Sequence, residues 1–265
     1  MSALTSLNST LSSSVNTVQA QIKDVQTQLS SGTKTLDAGQ LGTVTRLSSQ
    51  VTGYSAAASN IVQAQSAISV AQAGLASIND LVTQMIDLAN KAANASLTDA
   101  DRTKLNATFQ SLALQVTSIA TNTEVNGVNV LKSGAADQKY QVGITSADTM
   151  LINKVASDAT TLGINSLDIS TQALAPAAIT ALKLALDTIS TNQSSLLADN
   201  VGFTAKGKTD AAIATQLQAS IDSIQKPDQA KLQMDLQALN NQQSIDYYLI
   251  SQFNTASAAA MSIFR

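Results

Sequence analysis

Both ends of this chain are amphipathic, and neither carries a charge. No Asp, Glu, Lys or Arg occurs from Met1 to Ile22 or from Tyr247 to Phe264. In the first stretch Leu4, Leu7, Leu11, Val15, Val18, Ile22, Val25 and Leu29 recur in steps of three and four. That is a heptad seam on one face of a helix. In the last stretch Leu232, Leu236, Leu239, Leu249, Phe253, Ala256, Ala260 and Ile263 keep the same rhythm, with polar Gln243 and Asp246 on the stripe. A soluble helix standing alone carries a charged outer face. Two helices without one need other helices around them, and one copy of the chain offers few.

The rest of the composition narrows the classes of function. Apolar residues make up 44% of the chain but aromatics only 3%, so the core is built from Ala, Leu, Ile and Val, which suit helices packed side by side. Only Pro176 and Pro227 interrupt the chain, so long helices are permitted. Charged residues are 12% and the net charge is −3, which leaves no basic footprint for nucleic acid. Cysteine and histidine are both absent. This removes disulfides, thiolate metal sites and the commonest general base, so no catalytic, metal or cofactor residue is expected. The first residues lack the basic start and apolar core of a Sec-type signal, and no stretch has the length and apolarity to span a membrane.

Three more helices are expected between the ends. Ile61, Ala64, Ile68, Ala71, Leu75, Ile78, Val82, Met85 and Ala89 mark the first, starting near Leu41. Thr98 with Asp101 reads as a capping box opening the second, which carries Leu105, Phe109, Leu112, Val116 and Ile119. Asn126-Gly127 between Val125 and Val128 signals a tight turn. Tyr140–Ile144 and Met150–Val155 then read as a short hairpin joined near 146–148. A third helix opens after Pro176 through Leu182, Leu186, Ile189 and Leu196.

Gly202 to Thr209 reads Gly-Phe-Thr-Ala-Lys-Gly-Lys-Thr, a full match to the phosphate-cradling G-x-x-x-x-G-K-[ST]. That chemistry requires a buried strand leading into a glycine-rich loop. Here the helical rhythm runs straight through, by Phe203, Gly207, Ala211, Ala214, Leu217, Ile221 and Ile224. The sequence therefore predicts a helix tolerating two glycines, at about 1 kcal/mol each relative to alanine.

These residues together resemble flagellin, the filament subunit of the bacterial flagellum. Leu29-Ser30-Ser31-Gly32 is similar to that family's LSSG after its first helix, and Leu88-Ala89-Asn90 falls where it has ELA. Val125-Asn126-Gly127-Val128-Asn129-Val130-Leu131 resembles its FNGVKVL turn, and Gln141-Val142-Gly143 its QVG. Leu162-Gly163-Ile164 is similar to LGL, and Met261-Ser262-Ile263-Phe264-Arg265 to the terminal LSLLR. The chain departs from the family at Thr33–Gln40, which keeps only Lys34 as a basic residue and loses the family's acidic pair.

The resemblance implies a mainly α fold: a long antiparallel helical bundle or coiled coil with both termini paired, plus a small β-hairpin region near 125–170. It implies terminal helices (1–40 with 225–265) lining an inner tube and a second helical layer from 41–224. The variable outer part of longer relatives would sit between about Thr171 and Ala175 and is almost missing here. The implied function is a structural, non-enzymatic subunit that polymerises with itself into an extracellular filament for swimming. Its partners would be the type III flagellar export apparatus and chaperone, and the hook-associated and cap proteins. The expected assembly interface is Leu4, Leu7, Leu11, Val15, Val18, Ile22, Leu249, Phe253, Ala256, Ala260, Ile263 and Phe264. A hook–filament junction protein is the alternative, and a P-loop protein the remote one.

Overall fold

The computed structural model describes the backbone of residues 2–263 and the side chains of residues 6–259. Five helices and one hairpin follow in order: α1 (Ser2–Ser31), α2 (Ala38–Ala92), α3 (Asp99–Asn122), β1 (Gln138–Gln141), β2 (Thr149–Ile152), α4 (Ala175–Gln225) and α5 (Gln229–Ile263). The mainly α architecture with paired termini and a small antiparallel sheet is as the sequence indicates.

The boundaries have local causes. α1 stops at Gly32, whose φ of +66° is a left-handed conformation that glycine adopts without penalty. α2 starts at Ala38, three residues before the expected Leu41, because Asp37 and Gln40 form a reciprocal capping box. The Gln40 amide donates to Asp37 Oδ1 at 2.8 Å, and the Asp37 amide to Gln40 Oε1 at 3.3 Å. At α3, the Asp101 amide donates to Thr98 Oγ1 at 3.2 Å, as the Thr98 box predicts. α4 opens at Ala175, with Pro176 in the first turn where its missing N–H costs nothing. Pro227 separates α4 from α5, and Asp228 caps α5 through the Lys231 amide at 3.0 Å.

The chain divides into two compact units, residues 1–48 with 217–265 and residues 49–216. The second holds a dense apolar core. It joins Ile61, Ile68, Leu75, Ile78, Val82 and Met85 of α2 to Phe109 and Val116 of α3 and to Leu182, Ile189, Leu196 and Phe203 of α4. Val130, Leu131, Ile152, Ile164 and Ile169 close it from the connecting segments. α2 comes close to the turn after α3: a Cβ on Gly74 would lie 2.7 Å from both Leu131 Cδ1 and Thr123 Cγ2.

That turn is built as its residues predict. Asn126 and Gly127 both have positive φ, 51° and 78°, and Val125 and Val128 exchange backbone hydrogen bonds at 3.1 and 2.9 Å. Asn129 then ties the loop to α3. Its Nδ2 donates to the carbonyls of Ala120 and Thr121, and its Oδ1 accepts from the amides of Leu131 and Lys132.

The hairpin is shorter and earlier than the expected Tyr140–Ile144 and Met150–Val155. Gln138 pairs with Ile152, and Gln141 with Thr149. The strand ends at Gln141 because Asp148 organises the connection, accepting from the Thr145 amide at 3.1 Å and its hydroxyl at 2.8 Å. Beyond Ile152, the Val155 amide leaves the hairpin and donates to the carbonyl of Val130.

Candidate functional site

The first unit has few buried apolar side chains: among the described residues Val15, Val18, Val44 and Ile221. Its main feature is the pairing of α1 with α5. The pair is antiparallel. Ser14 Oγ donates to Asp246 Oδ2 at 2.9 Å, and Gln19 Nε2 to Tyr247 Oη at 2.7 Å. Toward the end of α1 and the start of α5, the Lys34 amide donates to the carbonyl of Gln225 at 2.8 Å.

The expected interface residues fall into three groups. Val15 and Val18 are buried at 7% and 2% exposure, and Leu11, Ile22 and Phe253 are half-buried. Leu7, Leu249 and Ala256 are exposed. Phe264 lies outside the described residues, as do the side chains of Leu4, Ala260 and Ile263.

The covered stripe of α5 runs through Leu232, Leu236, Leu239, Gln243, Asp246, Ile250, Phe253 and Ser257. From Asp246 onward it steps to Ile250 and Ser257, whereas the sequence reading steps to Leu249 and Ala256. Both routes pass through Asp246 and Phe253, and they lie about 100° apart around the helix at 249 and 250. Steps of three and four permit both, though only the covered route keeps the two alternating without a break from Leu232.

This setting mixes polar residues into the covered face of α5 and leaves large apolar ones outside it. Polar Gln243, Asp246 and Ser257 face inward, and the buried Ser257 hydroxyl has no hydrogen-bond partner. Outward stand Met234, Ile245, Tyr248 and Leu249, 64%, 58%, 63% and 45% exposed, and Tyr247, which reaches Gln19 of α1 through its hydroxyl, is 48% exposed. Over Ile245–Ile250 the helix is apolar or aromatic on nearly every side.

The phosphate-loop lookalike lies wholly inside α4. Its backbone amides are committed to the helix, so they form no cradle for an anion. Its glycines answer to packing. A Cβ on Gly202 would lie 2.9 Å from Met150 Cε of the hairpin, and one on Gly207 would lie 3.6 Å from Ile61 Cγ2. Nearby, Tyr140 meets Phe203 edge to face, centroids 5.9 Å apart at 88°, and burial pushes the Tyr140 hydroxyl pKa up. Lys206 pairs with buried Asp210, and Thr209 Oγ1 donates to the Ala205 carbonyl at 3.1 Å. Lys208, the residue a phosphate loop would aim at its ligand, is exposed. No group of metal-ligating side chains occurs among the described residues, and no helix there is long and apolar enough to cross a membrane.

Two structural side chains escaped the sequence reading. Arg102 is buried between the end of α2 and the start of α3, and Asn129 carries no signal beyond its place in the turn motif. Buried polar residues of this kind are visible only once their carbonyl partners are placed.

Comparison with known proteins agrees with this geometry. The family model for the bacterial flagellin N-terminal helical region matches residues 4–136. Flagellin FljO of Caulobacter vibrioides is 27% identical over 84% of this chain and 82% of its own length. A flagellin of Listeria innocua is 26% identical over 72% of each chain. Among solved structures, Bacillus cereus flagellin aligns with a TM-score of 0.53 at 24% identity, covering 57% of this chain and 88% of that one. A putative flagellar hook-associated protein from Vibrio parahaemolyticus aligns with a TM-score of 0.58 at 14% identity, covering 71% and 98%. At these identities the two structures speak to the fold alone.

Proposed function

The chain belongs to the bacterial flagellin family and is a structural subunit of the flagellar filament, and on that premise we propose that its paired terminal helices are the surfaces through which copies join. The observation that carries the reading is the apolar outer face of α5. Ile245, Tyr247, Tyr248 and Leu249 stand exposed on a helix whose covered face is partly polar. A helix apolar nearly all round belongs in a core.

The energetics point the same way. Burying a valine contributes roughly 1.5–2 kcal/mol, so Val15 and Val18 add only a few kcal/mol to the pairing of helices 30 and 35 residues long. Neighbouring copies would supply what the pair lacks. Because neither covering face is charged over 1–22 or 247–264, subunits can approach without repulsion. The interface on this reading comprises Leu4, Leu7, Leu11, Ile22, Leu249, Phe253, Ala256, Ala260, Ile263 and Phe264, with Val15 and Val18 acting through the α1–α5 pair in which they are buried, and with 1–40 and 225–265 forming the inner layer and 41–224 the outer. Export through the flagellar type III apparatus with a chaperone, and contact with hook-associated and cap proteins, belong to the same proposal.

The test is truncation. Chains lacking 1–22 or 247–265 should keep the helical unit of 49–216 folded by circular dichroism and fail to elongate filament seeds. Elongation by either truncated chain at the full-length rate would overturn the reading.

A further inference from the structure

Asp246 is the only charged residue between Asp235 and Arg265, and α1 carries none before Lys23. It nevertheless lies on the covered face of α5, 7% exposed, with Ser14 Oγ donating to its Oδ2 at 2.9 Å. A carboxylate adds little to the strength of a helix seam, because its desolvation offsets the contact it makes. What a buried polar pair supplies in such a seam is specificity of alignment.

Here there is a definite alternative to exclude. Two stripes of α5 share residues 246 and 253. One continues through Ile250 and Ser257, and the other through Leu249 and Ala256. The second is the more apolar at 256, but it breaks the three–four alternation at 243, 246 and 249; the first keeps that alternation unbroken from Leu232 and is the one covered. Rolling α5 to cover Leu249 would swing Asp246 relative to Ser14, straining the hydrogen bond that Ser14 donates to the carboxylate. An unpaired buried carboxylate is more costly than the exchange of one aliphatic contact for another.

We propose that the Ser14–Asp246 hydrogen bond is a rotational pin that sets which face of α5 turns to α1 and which is left outward. Ile250 is thereby held inward, and Ile245, Tyr248 and Leu249 outward. The pin is a property of the single copy; that the outward face receives a second copy of this chain rests on the assembly reading above. Asp246 is a positioning residue, acting through the orientation of the helix rather than by contact with the partner.

The experiment uses the absence of native cysteine. Single variants L249C and I250C of the full chain are alkylated under conditions where it is unpolymerised. With Asp246 present, the thiol at 249 should react readily and the thiol at 250 slowly. Adding D246L, which makes the stripe through 246, 249, 253 and 256 apolar throughout, should abolish that difference or reverse it. S14A should act in the same direction, and D246N, whose amide oxygen still accepts from Ser14, should preserve it. Unchanged protection at 250 in D246L would overturn the pin, as would equal reactivity at the two positions with Asp246 intact. Neither result bears on the truncation test, which reads elongation.

Discussion

Arg102 closes the end of α2 from within α3: its Nε donates to the carbonyl of Ala92 at 2.7 Å. Its Nη2 donates to the carbonyl of Asn94 at 2.7 Å, and its Nη1 pairs with Asp99 at 2.6 Å. One guanidinium thus satisfies a carbonyl that the helix end leaves orphaned and fixes the turn into α3. R102A should lower stability by about 2–3 kcal/mol, the scale of losing charge-assisted bonds at a buried site. R102K should recover only part, since an ammonium cannot fork to both carbonyls. Chemical denaturation followed by circular dichroism measures both, and equal stability of R102A and wild type would refute the clamp.

Gly74 and Gly207 both interrupt long helices, but with opposite consequences. G74A gains helix propensity yet places a Cβ 2.7 Å from Leu131 and Thr123, so overpacking of about 1–3 kcal/mol should prevail and destabilise. At Gly207 the nearest atom is Ile61 Cγ2 at 3.6 Å, an ordinary contact. G207A should therefore stabilise by about 0.5–1 kcal/mol. It alters the second glycine of the phosphate-loop lookalike, so a stabilised G207A would also be hard to reconcile with a nucleotide loop there. Thermal melts of the two variants against wild type give the signs.

Leu249 and Val18 separate assembly from pairing. Leu249 is 45% exposed and Val18 only 2%. L249D should leave the helix content of the single copy unchanged while stopping seeded elongation, read by sedimentation. V18D should loosen the α1–α5 pair itself and lose helical signal before any seed is added, because it buries an unpaired charge. Elongation of L249D at the wild-type rate would remove Leu249 from the interface.

Asp148 makes the hairpin connection sensitive to acid. The Thr145 hydroxyl first, then its amide, hold the Asp148 carboxyl below the ordinary value of 3.8, with a smaller contribution from Lys206. A depressed carboxylate stabilises the fold fully above its unfolded value and loses that contribution as pH falls through the folded one. Protection of the Thr145 amide, measured as its exchange rate relative to the intrinsic rate at each pH, should therefore hold at neutral pH and fall as the pH drops below 3.8. In D148N that acid-dependent step should vanish. A Thr145 amide protected equally at all these pH values in the wild type would contradict the bond.

Much of the fold was legible because its causes are local. The seam from Ile61 to Ala89, the Thr98 cap and the Asn126-Gly127 turn each follow from neighbours a few residues away, and each stands where those residues predict. The same locality exposed the phosphate-loop match as helix, since Phe203 and Gly207 keep the helical rhythm. What escaped depends on distant partners. Arg102 needs Ala92, Asn129 needs Ala120, and the hairpin ends where Asp148 and Val130 take up hydrogen bonds from the chain around it.

The terminal helices divide most clearly between the two sources. Sequence by itself determined that residues 1–22 and 247–264 form uncharged amphipathic faces, because charge and spacing are properties of the chain alone. Only the tertiary structure decided which side of α5 is spent on α1. Two stripes that share Asp246 and Phe253 part by about 100° at Leu249 and Ile250, and the bond between Ser14 and Asp246 holds the one through Ile250 against α1.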